Sequence, residues 1–248
     1  MGVVSGMGAT AKGLCGVCAI LCTPGLSLWG LERSSQEALT VLAYREVSLK
    51  GVVVPKVCVA DMIVILEALC ASIRALYADK RDRTIIEINV NERSMVAQVF
   101  CRLRSRLKRR LPLFDVDYEY NRHIEDPKRA WVWVQRQLKS FVSVIPDMVV
   151  HKRGGDEYNA CVMEFKKPGV NEGLDEEKLV AFTDESEPYQ YDIGLRIVLA
   201  RTCEETTFAL FRSGIKCTRS LKIGEIVTKR GALRRHSEFA KAIGCFQP

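Results

Sequence analysis

The sequence lacks the short signatures of several large enzyme classes. It contains neither GxGxxG nor GxxxxGK(S/T), the glycine-rich loops that hold the phosphates of dinucleotides and nucleoside triphosphates. It also lacks the GxSxG of many serine hydrolases and the HExxH of zinc peptidases. Its three histidines, His123, His151 and His236, are not spaced as zinc ligands. Internal repeats are absent too, which argues against a solenoid.

Paired CxxC motifs are missing, although the chain has ten cysteines. Cys15, Cys18 and Cys22 lie close together, but a structural zinc site needs four ligands and no second CxxC follows. Most of the other cysteines fall in apolar or helical segments rather than in a short, loop-rich disulfide framework. We therefore expect reduced, buried thiols in a cytoplasmic protein.

A long uninterrupted apolar segment is also missing. The most apolar stretch, residues 13–29, is broken by Pro24 and Gly25, whereas a membrane span needs roughly 20 apolar residues. The stretch has the length of a signal-peptide core, but no basic n-region precedes it. We therefore favour an irregular N-terminal extension over a targeting segment, and we expect no membrane partner.

The composition that remains is that of a folded domain with a basic surface. Hydrophobic residues make up 48% of the chain and charged residues 27%, so a proper core can form. The net charge of +7 suits a polyanionic partner such as nucleic acid, although many other proteins carry a similar excess.

Apolar periodicity predicts helices and strands in mixed order. Residues 57–78 and 92–110 carry apolar side chains at three- and four-residue steps, which predicts two helices, the second capped by Asn91. Alternation and length then predict a short alternating run at 84–90, strands at 114–120, 142–151, 159–166, 192–200 and 206–212, and helices at 128–140 and 174–183.

These elements predict an α/β (α+β) fold with one central mixed sheet flanked by helices. The expected organisation has an N-terminal extension at 1–80 that is partly helical at 57–78, a core at 81–212 and a basic C-terminal segment at 213–248. The helix at 57–78 is expected to pack outside the catalytic core.

Three charged residues stand out in the predicted hairpin of 142–151 and 159–166. Asp147 lies in its first strand, and Glu164 and Lys166 lie two apart in its second, so the latter pair projects to one face. Two carboxylates and a backbone carbonyl suit Mg²⁺ or Mn²⁺, and a nearby ammonium can position water. This combination fits phosphodiester hydrolysis. The alternative is a surface aspartate beside a cross-strand Glu–Lys pair.

Residues 145–154 (IPDMVVHKRG) and 159–167 (NACVMEFKK) resemble the signature of the PD-(D/E)xK, or restriction-endonuclease-like, nuclease superfamily. Sixteen residues separate the Asp from the Glu, within the spacing that this superfamily uses. Residues 91–94 (NERS) are similar to its acidic helix start, and residues 115–122 and 189–194 resemble an uncharacterised prokaryotic branch. The resemblance covers roughly residues 84–212.

The resemblance implies a restriction-endonuclease-like fold and a metal-dependent endonuclease. Asp147, Glu164 and the Phe165 carbonyl would bind Mg²⁺ or Mn²⁺, and Lys166 would orient the attacking water. Glu92 would be an outer acidic ligand that reaches the metal directly or through water. The implied substrate is nucleic acid, with DNA expected and RNA left open as the alternative.

Several cations are candidates for contact with nucleic acid. Arg102, Arg106 and Arg109 lie on one predicted helix. Contact with phosphate groups and a solvated basic helix face are equally supported for them. Arg122 follows a predicted strand, and loop hydrogen bonding is its alternative. His151 ends the strand of Asp147, and a structural role at the end of the hairpin is favoured for it over substrate contact.

Two other functions remain open beside the enzyme. A nuclease-like fold can serve as a non-catalytic nucleic-acid-binding or assembly module, because fold does not determine function. The motif can also be a coincidence in a small interaction protein, in which case Asp147 and Glu164 would bind no divalent ion.

Overall fold

A mixed β-sheet forms the centre of the computed structural model. The structure describes residues 57–87, 91–120, 122–123, 126–127, 129–134, 138–154, 158–169 and 173–244. Most of the predicted N-terminal extension and the Cys15, Cys18 and Cys22 cluster lie outside these residues. Among the described helices, none has the length and apolarity to span a bilayer.

The helices and strands follow one another in mixed order. The helices are α1 (Val59–Ala78), α2 (Lys80–Glu87), α3 (Glu92–Arg110), α4 (Gly173–Thr183), α5 (Ile223–Ile226) and α6 (Glu238–Ala242). The strands are β1 (Asp115–Tyr118), β2 (Arg122–His123), β3 (Asp126–Pro127), β4 (Arg129–Val134), β5 (Leu138–Ser143), β6 (Met148–His151), β7 (Cys161–Lys166), β8 (Ile193–Val198), β9 (Thr207–Arg212), β10 (Ile215–Lys216) and β11 (Leu221–Lys222).

The central sheet has the order β1-β6-β7-β8-β9-β10, with β11 also paired to β9. Only β7 and β8 run parallel in this described sheet, because α4 connects them as a crossover. The predicted mixed α/β architecture, an open mixed sheet flanked by helices, is confirmed. The predicted hairpin is present as β6 and β7, which pair antiparallel with Met148 opposite Met163. Its first strand is shorter than the predicted 142–151, because residues 142–143 belong to β5 and residues 144–147 form no strand.

Both faces of the sheet are buried. On one face Val149, Val162 and Phe211 pack with Leu179 and Phe182 of α4. The strand residues that alternate with them, such as Met163 and Phe165, are also fully buried, so β7 is covered on both sides.

The predicted helices at 57–78 and 92–110 are confirmed as α1 and α3, which contact each other. The side chain of Asn91 accepts a hydrogen bond from the Arg93 backbone N–H, as expected of an N-cap. α1 also reaches the sheet, since Tyr77 Oη donates to the Ala200 carbonyl at 2.6 Å.

Two sequence-based expectations are wrong. The alternating run at 84–90 is helical up to Glu87 as part of α2, and residues 88–90 lie outside the described residues. Asp79 explains the helix: its side chain accepts a hydrogen bond from the Arg81 N–H at 2.9 Å and so provides the cap that the apolar pattern did not show.

The second error concerns residues 128–140, which were expected to be a helix. The chain instead forms β4 and β5, which pair antiparallel with Trp131 opposite Phe141. The segment is rich in valine and tryptophan, residue types that favour strands, and this preference decides against the helix.

The last part of the chain continues the same compact unit, which spans Val54–Pro248. β10 and β11 extend the sheet at β9, and Phe239 of α6 packs against Phe208 of β9 with ring centroids 6.5 Å apart. The described cysteines (Cys58, Cys70, Cys101, Cys161, Cys203 and Cys217) are all free thiols.

Candidate functional site

The candidate site begins where β6 and β7 pair. Asp147 immediately precedes β6, whose first residue Met148 pairs with Met163, and its charge acts on Glu164 of β7. The Phe165 N–H donates to Asp147 Oδ2 at 2.7 Å, which fixes the aspartate against β7. Burial raises the pKa of Asp147 above its usual 3.8 and outweighs this hydrogen bond.

Glu164 is the most buried acid of the site, with 1% of its surface exposed. Its Oε2 lies 3.4 Å from Lys178 Nζ, while its buried Oε1 has no hydrogen-bond partner among the described residues. Burial, followed by the charge of Asp147, raises the pKa of Glu164 well above 4.5. A buried oxygen without a donor is a ready ligand for a cation.

Lys166 projects to the same face as Glu164, as the period of two predicts. Its Nζ lies 3.2 Å from Glu92 Oε1 and 3.3 Å from Asp175 Oδ2. Burial alone would lower the pKa of Lys166, but the charges of Asp175, Glu92 and Asp147 outweigh it and raise the pKa. The lysine is therefore held as an ammonium ion between two carboxylates.

Glu92 begins α3 and reaches β7 from there. One carboxylate oxygen pairs with Lys166 Nζ, and the other accepts a hydrogen bond from the Lys167 N–H at 3.3 Å. In this arrangement Glu92 anchors the end of β7 and its lysine. Its predicted role as an outer metal ligand remains a prediction.

Two further residues of the site come from α4. Asp175 is 3% exposed, and its oxygens lie 3.3 Å from both Lys166 Nζ and Lys178 Nζ. From the sequence, Asp175 and its acidic neighbours were expected to form a helix start satisfied by the helix dipole, with a further ligand group as the alternative, whereas Lys178 was missed. The available signal was the spacing of three between them, which places both side chains on one helix face.

The charges of the site add up to a deficit of positive charge. Four carboxylates (Glu92, Asp147, Glu164 and Asp175) surround two ammonium groups (Lys166 and Lys178), so the formal balance is minus two. One divalent cation would balance that charge, and the unpartnered Glu164 Oε1 offers it an oxygen.

The donor set fits a hard cation better than a soft one. Within the described residues, no group of three or more His, Cys, Asp or Glu side chains is gathered in a way that could hold a metal ion. The predicted set differs from such a group because it combines two carboxylates with the Phe165 carbonyl. Oxygen ligands of this kind leave positions for water and phosphate oxygens on Mg²⁺ or Mn²⁺.

The side chains of the site differ in how far they are exposed to solvent. The side chains of Glu92 and Lys166 are partly exposed, whereas Glu164 is sealed beneath them. Two large apolar side chains, Ile145 and Leu174, are exposed two residues before Asp147 and one residue before Asp175.

The arginines predicted to contact nucleic acid lie in different surroundings. Arg102 forms ion pairs with Asp82 and Asp79, so its charge is already neutralised inside the helical layer. Arg106 is half-buried and Arg109 is exposed. Arg122 lies in β2, and its side chain is outside the described part of the chain.

His151 lies at the far end of β6 from Asp147. It is 3% exposed, its Nε2 is 2.9 Å from Asp117 Oδ2, and its ring centroid lies 4.6 Å from that of Tyr120, with the two rings tilted by 58°. Arg153 pairs with the same aspartate. These contacts give His151 a structural role, while contact with nucleic acid remains a prediction for it.

Neither a protein-family model nor a curated protein matches the chain.

Proposed function

We propose that the protein is a metal-dependent nuclease of the PD-(D/E)xK type that hydrolyses phosphodiester bonds of DNA. The observation that carries this proposal is the position of Asp147 beside β7, where Glu164 and Lys166 lie on one face. A buried oxygen of Glu164 without a partner among the described residues and a formal charge of minus two support a divalent cation as the ligand of this site.

Each residue has a role that its contacts support. Asp147 and Glu164, with the Phe165 carbonyl, would hold the cation, and the Phe165 N–H keeps Asp147 in place. Bound there, Mg²⁺ or Mn²⁺ would supply Lewis acidity towards a phosphoryl oxygen and towards a water molecule. Lys166, held charged by Glu92 and Asp175, would orient that water and stabilise charge that develops on the phosphate.

Nucleic acid as the substrate accords with the basic excess of the chain and with the exposed Arg109 on α3. The free thiols of the described cysteines accord with a cytoplasmic location, which we include in the proposal.

Cleavage of plasmid DNA tests the proposal. The purified protein should cut supercoiled plasmid in Mg²⁺ or Mn²⁺ and stop when EDTA is added. Asp147→Asn and Lys166→Met should each lower the rate at least about a hundredfold, because each removes a group that acts on the reacting phosphate. An RNA oligonucleotide in a parallel reaction distinguishes the two nucleic acids.

A matched control is Lys216→Met. Lys216 also pairs with an acid of α4, Glu176, at 2.7 Å, but it does not contact Glu164, Asp175 or Glu92 in the described structure. It should keep the wild-type rate. Cleavage that survives in Asp147→Asn would refute the assigned roles. Salt-dependent DNA binding without metal-stimulated cutting would favour the non-catalytic binding module.

A further inference from the structure

Lys178 of α4 lies between two buried carboxylates. Its Nζ is 3.4 Å from Glu164 Oε2 and 3.3 Å from Asp175 Oδ1, and its side chain is mostly buried. A lysine buries its ammonium group only when the charge is compensated, because removal of the charge from water is costly. The two acids provide that compensation.

Glu164 depends on Lys178 in turn. Its other oxygen, Oε1, is buried and has no hydrogen-bond partner among the described residues. Lys178 Nζ, which contacts Oε2, supplies the positive charge beside the Glu164 carboxylate. Without it, this carboxylate would be a buried anion with little compensation. The same carboxylate is the one that the proposed function assigns to the metal.

A metal ion and an ammonium group compete for such a carboxylate. Two cations within about 4 Å of each other repel strongly where the surroundings exclude water. Entry of a divalent ion at Glu164 would thus require Lys178 to move away from Oε2.

We propose that Lys178 is a built-in counter-cation of Glu164, which holds the ligand in place in the metal-free protein and is displaced towards Asp175 when a divalent ion binds. The inference rests on the proposed function, since it takes Glu164 as a metal ligand. Lys178 is a positioning residue in this scheme, because it acts through Glu164.

Asp175 makes the exchange possible. One of its oxygens already contacts Lys178 and the other contacts Lys166, so a displaced Lys178 keeps a carboxylate partner. The spacing of three along α4 keeps Asp175 and Lys178 together whether or not Glu164 is engaged. The acid also keeps Lys166 beside the site while the exchange takes place.

Metal affinity and metal-free stability together test the inference. Mn²⁺ binding is measured by isothermal titration on the full chain, and thermal unfolding is measured in EDTA. Lys178→Met should bind Mn²⁺ about tenfold more tightly than the wild type, because the competing cation is gone. The same variant should unfold at a lower temperature in EDTA, because Glu164 loses its counter-cation.

Lys178→Arg and Lys216→Met serve as controls. The arginine restores a cation and should return the Mn²⁺ affinity to the wild-type range, and Lys216→Met should leave both measurements unchanged. If Lys178→Met does not fold, Lys178→Gln replaces it, since the amide keeps a hydrogen-bond donor without the charge, and tighter Mn²⁺ binding is again expected.

The outcomes separate this inference from the proposed function. Mn²⁺ binding that Glu164→Gln abolishes, but that Lys178→Met leaves equal or weaker, overturns the inference alone. Absence of Mn²⁺ binding by the wild type, or binding that Glu164→Gln does not alter, overturns the proposed function and this inference with it.

Discussion

Glu164 illustrates how a single residue can reduce the stability of the protein to which it belongs. A carboxylate in a nearly dry environment is destabilised in its charged form, and its pKa rises. The nearby charge of Asp147 adds to this effect, and Lys178 offsets it only in part. Such an arrangement is costly in a metal-free protein and favourable once a cation is present, which is typical of functional sites.

The pH dependence of stability follows from this shift. A group whose pKa is raised in the folded state contributes stability fully below its unfolded pKa, near 4.5 for Glu164, and loses it as pH rises through the folded pKa. In EDTA, Glu164→Gln should therefore gain stability relative to the wild type as pH increases above about 4.5. Thermal unfolding of both proteins between acid and neutral pH measures the difference. Parallel curves would show that Glu164 carries its charge in the fold without penalty.

At the scale of elements, α4 determines the composition of the site. The helix lies close against the sheet because β8 has a glycine beneath it. A Cβ at Gly194 would lie 3.1 Å from Thr183 Cγ2, 3.2 Å from Leu179 Cδ2 and 3.3 Å from Phe211 Cβ. The close approach brings Lys178 to Glu164 and Asp175 to Lys166, both on β7.

Gly194→Ala should thus disturb both the packing and the site. The added methyl group forces the side chains of Thr183, Leu179 and Phe211 to shift by a few tenths of an ångström, and overpacking of this kind costs about 1–3 kcal/mol of unfolding free energy. Urea unfolding measures the loss, and Mn²⁺ affinity reports on the displaced α4 residues. Gly224→Ala is the matched control, because a Cβ at Gly224 meets no atom within 4 Å and should leave the stability nearly unchanged. Equal stability of the two variants would contradict the close packing of α4.

Two segments show why the pattern of a short stretch of sequence can predict the wrong secondary structure. Residues 84–90 were expected to form a short alternating run, and Thr84, Ile85 and Ile86 are residue types that favour strands, but residues 84–87 lie in α2. Asp79 and the contacts of α2 with α1 and α3 outweigh that preference. The opposite error occurred at residues 128–140. A helix was expected there, but the strand preference of valine and tryptophan decides and the segment forms β4 and β5.

At the scale of the whole molecule, the cations of α3 are not equivalent. Arg102 is bound by Asp82 and Asp79, and Arg110 by Glu67, so these charges serve packing between helices. Arg109 is exposed, and no ion pair of it is found in the part of the chain that the structure describes. The net charge of +7 is therefore distributed between cations used for the fold and cations open to a partner.

Salt-dependent DNA binding distinguishes the two kinds of cation. In an Asp147→Asn background, Arg109→Gln should weaken binding and reduce the slope of log affinity against log salt by about 1, as expected for one lost phosphate contact. Arg102→Gln should lower the unfolding temperature instead and leave the slope unchanged. Fluorescence anisotropy over a range of salt concentrations measures the slopes. Identical slopes for the wild type and Arg109→Gln would exclude Arg109 from the interface.

The sequence by itself determined the elements whose signals are local. The period of two in residues 159–166 predicted β7 and placed Glu164 and Lys166 on one face, and the three- and four-residue steps predicted α1 and α3. The strand patterns at 142–151 and 159–166 also predicted a hairpin that carries both acids, and Asp147 lies one residue before its first strand, β6. These inferences hold because strand alternation and helix periodicity depend on neighbouring residues only.

Only the tertiary structure decided which charges meet. Lys178 contacts Glu164 and Asp175 contacts Lys166 because α4 packs against β7. Glu92 reaches Lys166 because α3 contacts the same strand. The same packing gives Arg102 its acidic partners and leaves Arg109 in solvent. Ion pairs between separate elements depend on how those elements pack, and neither the composition nor the periodicity of a segment carries that information.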